Sequence, residues 1–228
     1  MTDNQVSPAP SGARPFDVSV LADDIAPVTP MRLRTGLMLT ALMSIIATVA
    51  VALAMGVRED VAALSPDRMF MIRAGALLMI GVAAAVAALS TATPRIGRPT
   101  PKAWKWALML AGLLPLGALI SLLNAPSHDA QSLQAKLDPQ YGLECLRISA
   151  LCALGIAAVM VLWLRRGAPT SPERTAWLIG LAAGAFGASA YSVYCPATTL
   201  VYIGTWYSLA VAMCAVAGRI ILPPLLRW

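Results

Sequence analysis

Long apolar runs alternate with short polar stretches along most of the chain. Each run is about 20 residues long, enough for an α-helix to cross a hydrocarbon core about 30 Å thick. Charged residues and prolines divide these runs into six predicted helices, which span residues 36–57, 71–92, 104–124, 145–164, 176–195 and 200–220. The pattern therefore predicts an all-α fold, a polytopic membrane protein with a six-transmembrane-helix bundle.

The composition also indicates a membrane environment. Hydrophobic residues make up 58% of the chain and charged residues 12%, against about 25% charged residues in an average soluble domain. The net charge of +6 does not indicate direct nucleic-acid binding, because the basic residues stand beside the apolar runs. Twelve of the 17 Lys and Arg residues fall on one side of the predicted spans, so the positive-inside rule places both termini in the cytoplasm.

Residues 1–31 hold four aspartates and one arginine and no apolar run. This composition predicts a mostly disordered cytoplasmic tail rather than a signal peptide, followed by a transmembrane domain over residues 32–228. Within about residues 16–28, three apolar residues follow a helical spacing and two acidic residues lie off that stripe. They are Val18, Leu21 and Ile25 on the stripe, with Asp23 and Asp24 beside it. The pattern fits a segment that folds on a protein partner and, equally, a solvated acidic tail.

The sequence offers little catalytic equipment. His128 is the single histidine and stands in a predicted external loop, so we expect no cluster of histidines and carboxylates that holds a metal. No phosphate-binding glycine loop or familiar nucleophile motif occurs. No predicted span carries an acidic residue in its interior, which argues against an ion pathway. We therefore predict that the protein is not an enzyme and has no cofactor.

Two of the four cysteines share one predicted face of the membrane. Cys145 falls at the outer start of the fourth predicted helix, and Cys195 at the outer end of the fifth, where Pro196 should end that helix. If the two helices are antiparallel neighbours, the thiols come within disulfide range, as a structural staple or as a redox-responsive switch. We interpret Cys152 and Cys214, inside predicted spans, as buried apolar side chains.

Two further features concern helix ends and packing. Arg73 and Arg147 each lie within a turn of a predicted helix end, so we expect both side chains to snorkel to the membrane interface. Gly180, Gly184 and Gly187 give the fifth predicted helix overlapping small-residue spacings, which allow a neighbouring helix to approach closely. These glycines are interpreted as packing residues.

Five segments, in order along the chain, carry a resemblance to a known family. They are LADDIAPV in the tail, YGLECLR entering the fourth predicted helix, LRRGAPTSPERTAW after that helix, AYSVYCP at the end of the fifth, and LPPLLRW at the C-terminus. Together they resemble the NrsF family of six-span inner-membrane anti-sigma factors, which hold an extracytoplasmic-function (ECF) sigma factor of the sigma-F type inactive. The first three predicted spans match that family only in hydropathy.

The resemblance implies an anti-sigma factor embedded in the bacterial inner membrane, with the tail segment binding the sigma factor. It implies that Cys145 and Cys195 match the family's characteristic cysteines and sense oxidative or heavy-metal stress from the periplasm. It implies further that reaction of these cysteines releases the sigma factor. The family commonly has a histidine before the second cysteine, where this chain has Tyr194.

Two other classes of function fit parts of the sequence. A membrane thiol-disulfide oxidoreductase would share the outward-facing cysteines, although the chain has no CxxC pair. A small transporter subunit would fit the multi-span pattern, although the lack of carboxylates inside the predicted spans disfavours it.

Overall fold

A computed structural model of the protein describes residues 32–92, 103–123, 137, 139–167, 171–197 and 199–226. The chain divides into a first unit, Met1–Pro30, and a second unit, Met31–Trp228. All described residues belong to the second unit, so the predicted partner-binding segment of the tail lies outside them. The regular secondary structure in the described ranges is entirely helical, which confirms the predicted all-α class.

A helix is present at each predicted span. In chain order the helices are α1 (Leu33–Met55), α2 (Glu59–Ala62), α3 (Arg68–Ser90), α4 (Ala103–Leu123), α5 (Pro139–Leu164), α6 (Pro172–Tyr191), α7 (Leu200–Tyr202), α8 (Ser208–Ile221) and α9 (Pro223–Leu226). A π-helical segment, Ile203–Tyr207, joins α7 to α8. The two short helices α2 and α9 follow α1 and α8, and the others form the bundle.

Five helical segments among the described residues are long and apolar enough to cross a membrane. They are Leu33–Met55, Arg68–Ser90, Trp104–Leu123, Pro139–Leu164 and Leu200–Ile221. Large apolar side chains on their outer faces are exposed, such as Met38 and Leu53 on α1, with 70% and 83% of their surface accessible. Continuous apolar surface of this kind suits hydrocarbon better than water.

The helix α6 is not one of those five, because alanine and glycine make up much of its sequence. It lies at the centre of the bundle, where it packs against α3, α5 and α8. Nearly every residue from Thr175 to Tyr191 is buried. A helix enclosed by other helices has little contact with lipid, so small side chains that permit close packing replace large apolar ones.

The predicted role of the α6 glycines is confirmed by the contacts around them. A Cβ added at Gly180 would collide with the backbone of α8 at Cys214 and Ala215, and one added at Gly187 would collide with the backbone of α5 at Ser149. A Cβ added at Gly184 would lie 2.7 Å from the Cys214 Cβ and 3.2 Å from the Val211 Cα, both in α8. The helices α5 and α8 therefore approach α6 at backbone distance.

Several helix ends differ from the predicted ones by a few residues, and two of these differences affect the cysteines. The helix α5 begins at Pro139, six residues before the predicted start at 145, because proline fits the first turn of a helix, where no N–H partner is needed. The helix α6 ends at Tyr191 rather than at 195. A turn over residues 192–194 follows it, so Cys195 lies in a loop beyond the helix.

Candidate functional site

Cys145 and Cys195 lie at the same end of the bundle. Cys145 is in α5, and Cys195 is in the loop that follows α6; both are fully buried, and both thiols are free. The two thiols lie within electrostatic range of each other, and Tyr191 lies within range of both. The structure therefore brings the two predicted residues into one site, called the thiol site below, without a disulfide between them.

The surroundings of Cys145 are set by the spacing of an α-helix. Ser149, one turn further along α5, is also fully buried, and its Oγ lies 4.0 Å from the Cys145 sulfur. A thiol is a weak donor and acceptor, so this contact is a weak one. Cys145 is thus enclosed by packed side chains, with a hydroxyl as its polar neighbour.

The loop Ser192–Ala197 carries Cys195. Pro196 has no N–H and cannot continue the helix, so the last carbonyls of α6 need partners from elsewhere. The Cys195 N–H donates to the Tyr191 carbonyl over 3.2 Å. The Cys195 carbonyl accepts one hydrogen bond from Arg58 Nη1 at 2.9 Å and one from Arg73 Nη2 at 3.3 Å. Two guanidinium groups therefore satisfy the Cys195 carbonyl, which has no helical N–H partner because the helix has ended.

The prediction that Arg73 snorkels to the membrane interface is wrong. Its side chain is 1% exposed and bonds the loop, with Nη1 donating to the Ala197 carbonyl at 2.7 Å and Nη2 to the Ser192 carbonyl at 3.1 Å. Its guanidinium carbon also lies 5.2 Å from the centre of the Tyr207 ring. Since α6 ends four residues earlier than predicted, carbonyls become available inside the bundle for the arginine to bind. Arg147, by contrast, is exposed.

Arg58 forms the outer boundary of the thiol site. Its Nε and Nη2 donate to the two Asp60 oxygens at 2.8 and 3.0 Å. These hydrogen bonds, with one from the Asp67 N–H, lower the pKa of Asp60 to about 2. Arg58 and Asp60 line an open cleft together with Tyr141, Tyr194 and Pro196. Partial burial and the nearby Glu144 carboxylate raise the pKa of Tyr194.

All five tyrosines of the chain lie around the thiol site. The Tyr191 ring is 5.9 Å from that of Tyr194 and 6.4 Å from that of Tyr207, centre to centre. The hydroxyls of Tyr202 and Tyr207 lie against the Cys195 thiol. Neither hydroxyl has a hydrogen-bond partner within the described part of the chain. The thiols therefore sit in an aromatic enclosure with spare polar atoms.

The π-helix explains how two of these tyrosines reach one place. In a π-helix the hydrogen bonds run from residue i to i+5, so residues five apart stack on one face. Tyr202 and Tyr207 are five apart, and their ring centres lie 6.5 Å from each other. Thr199 accepts a hydrogen bond from the Tyr202 N–H at 3.4 Å and so caps the segment at its start. Nothing in the hydrophobic pattern distinguishes a π-turn from an α-turn.

The thiol site has the chemistry of two shielded thiols and one buried cation. Thiols can be oxidised to a disulfide, can bind soft metal ions and can be alkylated. Within the described ranges no three His, Cys, Asp or Glu residues come together as a metal site. His128 lies outside those ranges. Both thiols are fully buried, so neither sulfur is in contact with solvent.

Sequence reasoning found the two cysteines and missed their neighbours. Cys152 and Cys214 are half-buried and lie further along α5 and α8. Arg58, Arg73 and the tyrosines were not predicted as site residues. Two features of the sequence could have indicated these site residues. Arg73 is a cation within an apolar run, and four of the five tyrosines fall between residues 191 and 207.

These features define a class: a helical protein suited to a membrane, with a buried pair of thiols at one end of its bundle. The family model for NrsF, described as a negative regulator of sigma F, matches residues 21–228. The chain therefore belongs to the NrsF family, and the predicted family resemblance is confirmed.

Two curated proteins are similar to the chain. A probable anti-sigma-F factor NrsF of Azospira oryzae is 27% identical over 176 residues, which cover 75% of this chain and 78% of that protein. An anti-sigma-F factor NrsF of Caulobacter vibrioides is 28% identical over 143 residues, which cover 60% of this chain and 64% of that protein, just under two thirds of its length. No solved structure matches the chain significantly.

Proposed function

We propose that the protein is a membrane-embedded anti-sigma factor that binds an ECF sigma factor through its N-terminal tail and releases it when Cys145 and Cys195 react. The observation that carries this proposal is membership of the NrsF family over residues 21–228. That match includes part of the tail and both cysteines. The names of the two similar proteins, both anti-sigma-F factors, support a sigma factor as the partner.

The proposed arrangement has six spans in the bacterial inner membrane, with both termini in the cytoplasm. The five apolar segments support it, and α6 is the proposed additional span. Its 20 residues give a length of about 30 Å, which matches the hydrocarbon core. Fluorescent-protein fusions test the orientation, because green fluorescent protein exported unfolded to the periplasm does not fluoresce. Bright fusions at both termini are expected, and a dark C-terminal fusion would indicate an odd number of spans.

The tail is the proposed binding element for the sigma factor. Val18, Leu21 and Ile25 would occupy an apolar groove, and Asp23 and Asp24 would face basic residues of the partner. Co-purification of the full-length chain with ECF sigma factors of the source organism tests this. Leu21→Asp should abolish retention, whereas Val6→Asp, an equal change outside the segment, should leave it intact. Retention of the sigma factor by the Leu21→Asp chain would show that the binding surface lies outside this segment.

The thiol site is the proposed sensor. Oxidants would join the two thiols in a disulfide, with two protons and two electrons passing to the oxidant, and thiol-binding heavy-metal ions would bridge them. Either change would alter how α5 packs against α6, because Cys145 is fixed in α5 and Cys195 lies four residues after the end of α6. Coupling to the tail requires two packing states of the bundle that the thiol site and the partner both bias.

Paired cysteine substitutions test the sensor. A chain with Cys145→Ser and Cys195→Ser should still repress a sigma-dependent reporter and should no longer respond to a thiol oxidant or to cadmium. A chain with Cys152→Ser and Cys214→Ser is the matched control, with the same change at two half-buried positions of the bundle, and it should respond normally. Induction that persists in the first chain would rule out sensing by the thiol site.

A further inference from the structure

The Cys195 loop is held in place from outside its own helix by two arginines. Arg73 binds three carbonyls of the loop, those of Ser192, Cys195 and Ala197. Arg58 binds the Cys195 carbonyl as well. The thiol that these contacts enclose is fully buried. The loop backbone therefore depends on side chains from two other segments of the chain.

We propose that Arg73 is the positioning residue of the thiol site: it keeps the Cys195 loop closed over the thiol, and the loop must leave Arg73 before any reagent reaches the sulfur. The closed state is specified by three hydrogen bonds that radiate from one side chain into one loop. Tyr207 lies against the same guanidinium at 5.2 Å and fixes the plane in which these hydrogen bonds are made.

The charge of Arg73 explains why the loop and the arginine depend on each other. No carboxylate lies within ion-pair distance of Arg73 among the residues that the structure describes. A buried cation without a carboxylate needs hydrogen-bond acceptors in compensation, and the loop carbonyls supply them. If the loop moves away, the guanidinium remains buried without acceptors. The closed state is therefore favoured until a change at Cys195 makes it untenable.

Arg58 connects the Cys195 loop to a second part of the chain, the segment after α1. It follows α1 by three residues, since α1 ends at Met55, and it shares the Cys195 carbonyl with Arg73. Opening of the loop therefore frees α3 and the segment after α1 in one event. This consequence rests on the proposed function, in which α1 is the first helix after the sigma-binding tail.

Site-resolved thiol labelling tests the proposal without a sigma factor. The full-length chain in native membrane vesicles is treated with N-ethylmaleimide, which crosses membranes, and the labelling rate at each cysteine is read by mass spectrometry. Arg73→Met and Arg73→Lys should each raise the rate at Cys195 by about tenfold or more, equivalent to about 1.4 kcal/mol taken from the closed state. A lysine ammonium cannot reproduce the planar fork that reaches three carbonyls.

Arg147→Met is the matched control. Arg147 is exposed and stands two residues after Cys145 in α5. It should leave labelling at Cys195 unchanged. A rate at Cys195 within about twofold of wild type in Arg73→Lys would overturn the proposal. An equal rise at Cys152 and Cys214 would also overturn it, since Arg73 would then stabilise the whole bundle rather than the loop. If Arg73→Met does not accumulate, Arg73→Lys decides.

The outcome is independent of the proposed function. Loop opening measured by labelling can be shown even if the cysteines play no part in sigma release. Conversely, Cys145→Ser with Cys195→Ser can abolish the stress response even if Arg73 variants leave labelling unchanged. The two failures are therefore distinguishable.

Discussion

Arg58 Nη1 donates a hydrogen bond of 2.9 Å to the carbonyl oxygen of Cys195, although the two residues stand 137 positions apart. This contact ties the segment after α1 to the loop after α6. It exists because Pro196 prevents the helix from continuing, so no helical N–H reaches the Cys195 carbonyl, and because Asp60 holds the guanidinium from its other side. A short sequence feature, Cys-Pro, thus creates a long-range connection between two elements.

The Arg58 and Asp60 pair predicts a pH dependence. The pKa of Asp60 is lowered from 3.8 to about 2, so the folded protein favours the ionised carboxylate. A lowered pKa adds stability that is present above pH 3.8 and is lost as the pH falls towards 2. Thermal unfolding in detergent should therefore show Asp60→Asn less stable than wild type at pH 6, with the difference shrinking between pH 4 and pH 2.

Glu59→Gln provides the control for this titration. Glu59 is exposed and adjacent in sequence to Asp60. Its substitution by glutamine makes the same change from a carboxylate to an amide. Its difference from wild type should stay small at every pH, because a surface charge contributes little. A difference for Asp60→Asn that persists at pH 2 would show that the amide disturbs the fold rather than the titration.

The tyrosine hydroxyls without a hydrogen-bond partner predict that removing one of them does not destabilise the protein. Tyr207 is fully buried, and its hydroxyl has no hydrogen-bond partner among the described residues. Removing a buried polar group without a partner is neutral or stabilising, by up to about 1 kcal/mol. Tyr207→Phe should therefore leave the unfolding temperature unchanged or raised.

Tyr191→Phe is the comparison, because the Tyr191 hydroxyl donates to the Tyr141 carbonyl at 3.5 Å. Losing that hydrogen bond should cost about 0.5–1.5 kcal/mol. Equal destabilisation by both substitutions would show that the Tyr207 hydroxyl has a partner, with the adjacent Cys195 thiol as the first candidate.

The close approach of α6 to its neighbours predicts which glycines are indispensable. At Gly180 an added Cβ would lie 2.9 Å from the Ala215 Cα, and backbone cannot move aside as a side chain can. Gly180→Ala should therefore destabilise the protein by about 1–3 kcal/mol. Gly75→Ala in α3 has nothing within 4 Å of the new methyl and should be stabilising by about 0.5–1 kcal/mol. Unfolding temperatures in detergent test both, and a neutral Gly180→Ala would contradict the packing.

The sequence predicted the helices well because hydropathy measures the property that fixes them. Cys145 and Cys195 could be placed together because an odd or even number of crossings decides which end of the bundle a residue occupies. The position of Arg73 could not be predicted, because hydropathy assigns a cation near a helix end to water. It carries no information on whether backbone carbonyls inside the bundle can accept hydrogen bonds from that cation. The π-helix at Ile203–Tyr207 was also missed, because its residues have the same apolar character as an α-helix.

Trp206 predicts the consequence of a change near the start of α5. Its Nε1 donates to the Leu137 carbonyl at 2.6 Å, and its indole lies directly over Gly142, where an added Cβ would collide with the ring. Gly142→Ala should displace the indole, break the hydrogen bond and destabilise the protein by about 1–3 kcal/mol. Gly155→Ala, in the same helix, meets only Met43 Cε at 2.7 Å, the end of a flexible side chain that can move aside. Its cost should therefore be below that of Gly142→Ala in the same detergent unfolding assay, and equal costs would show that the indole does not hold α5 to the π-helix.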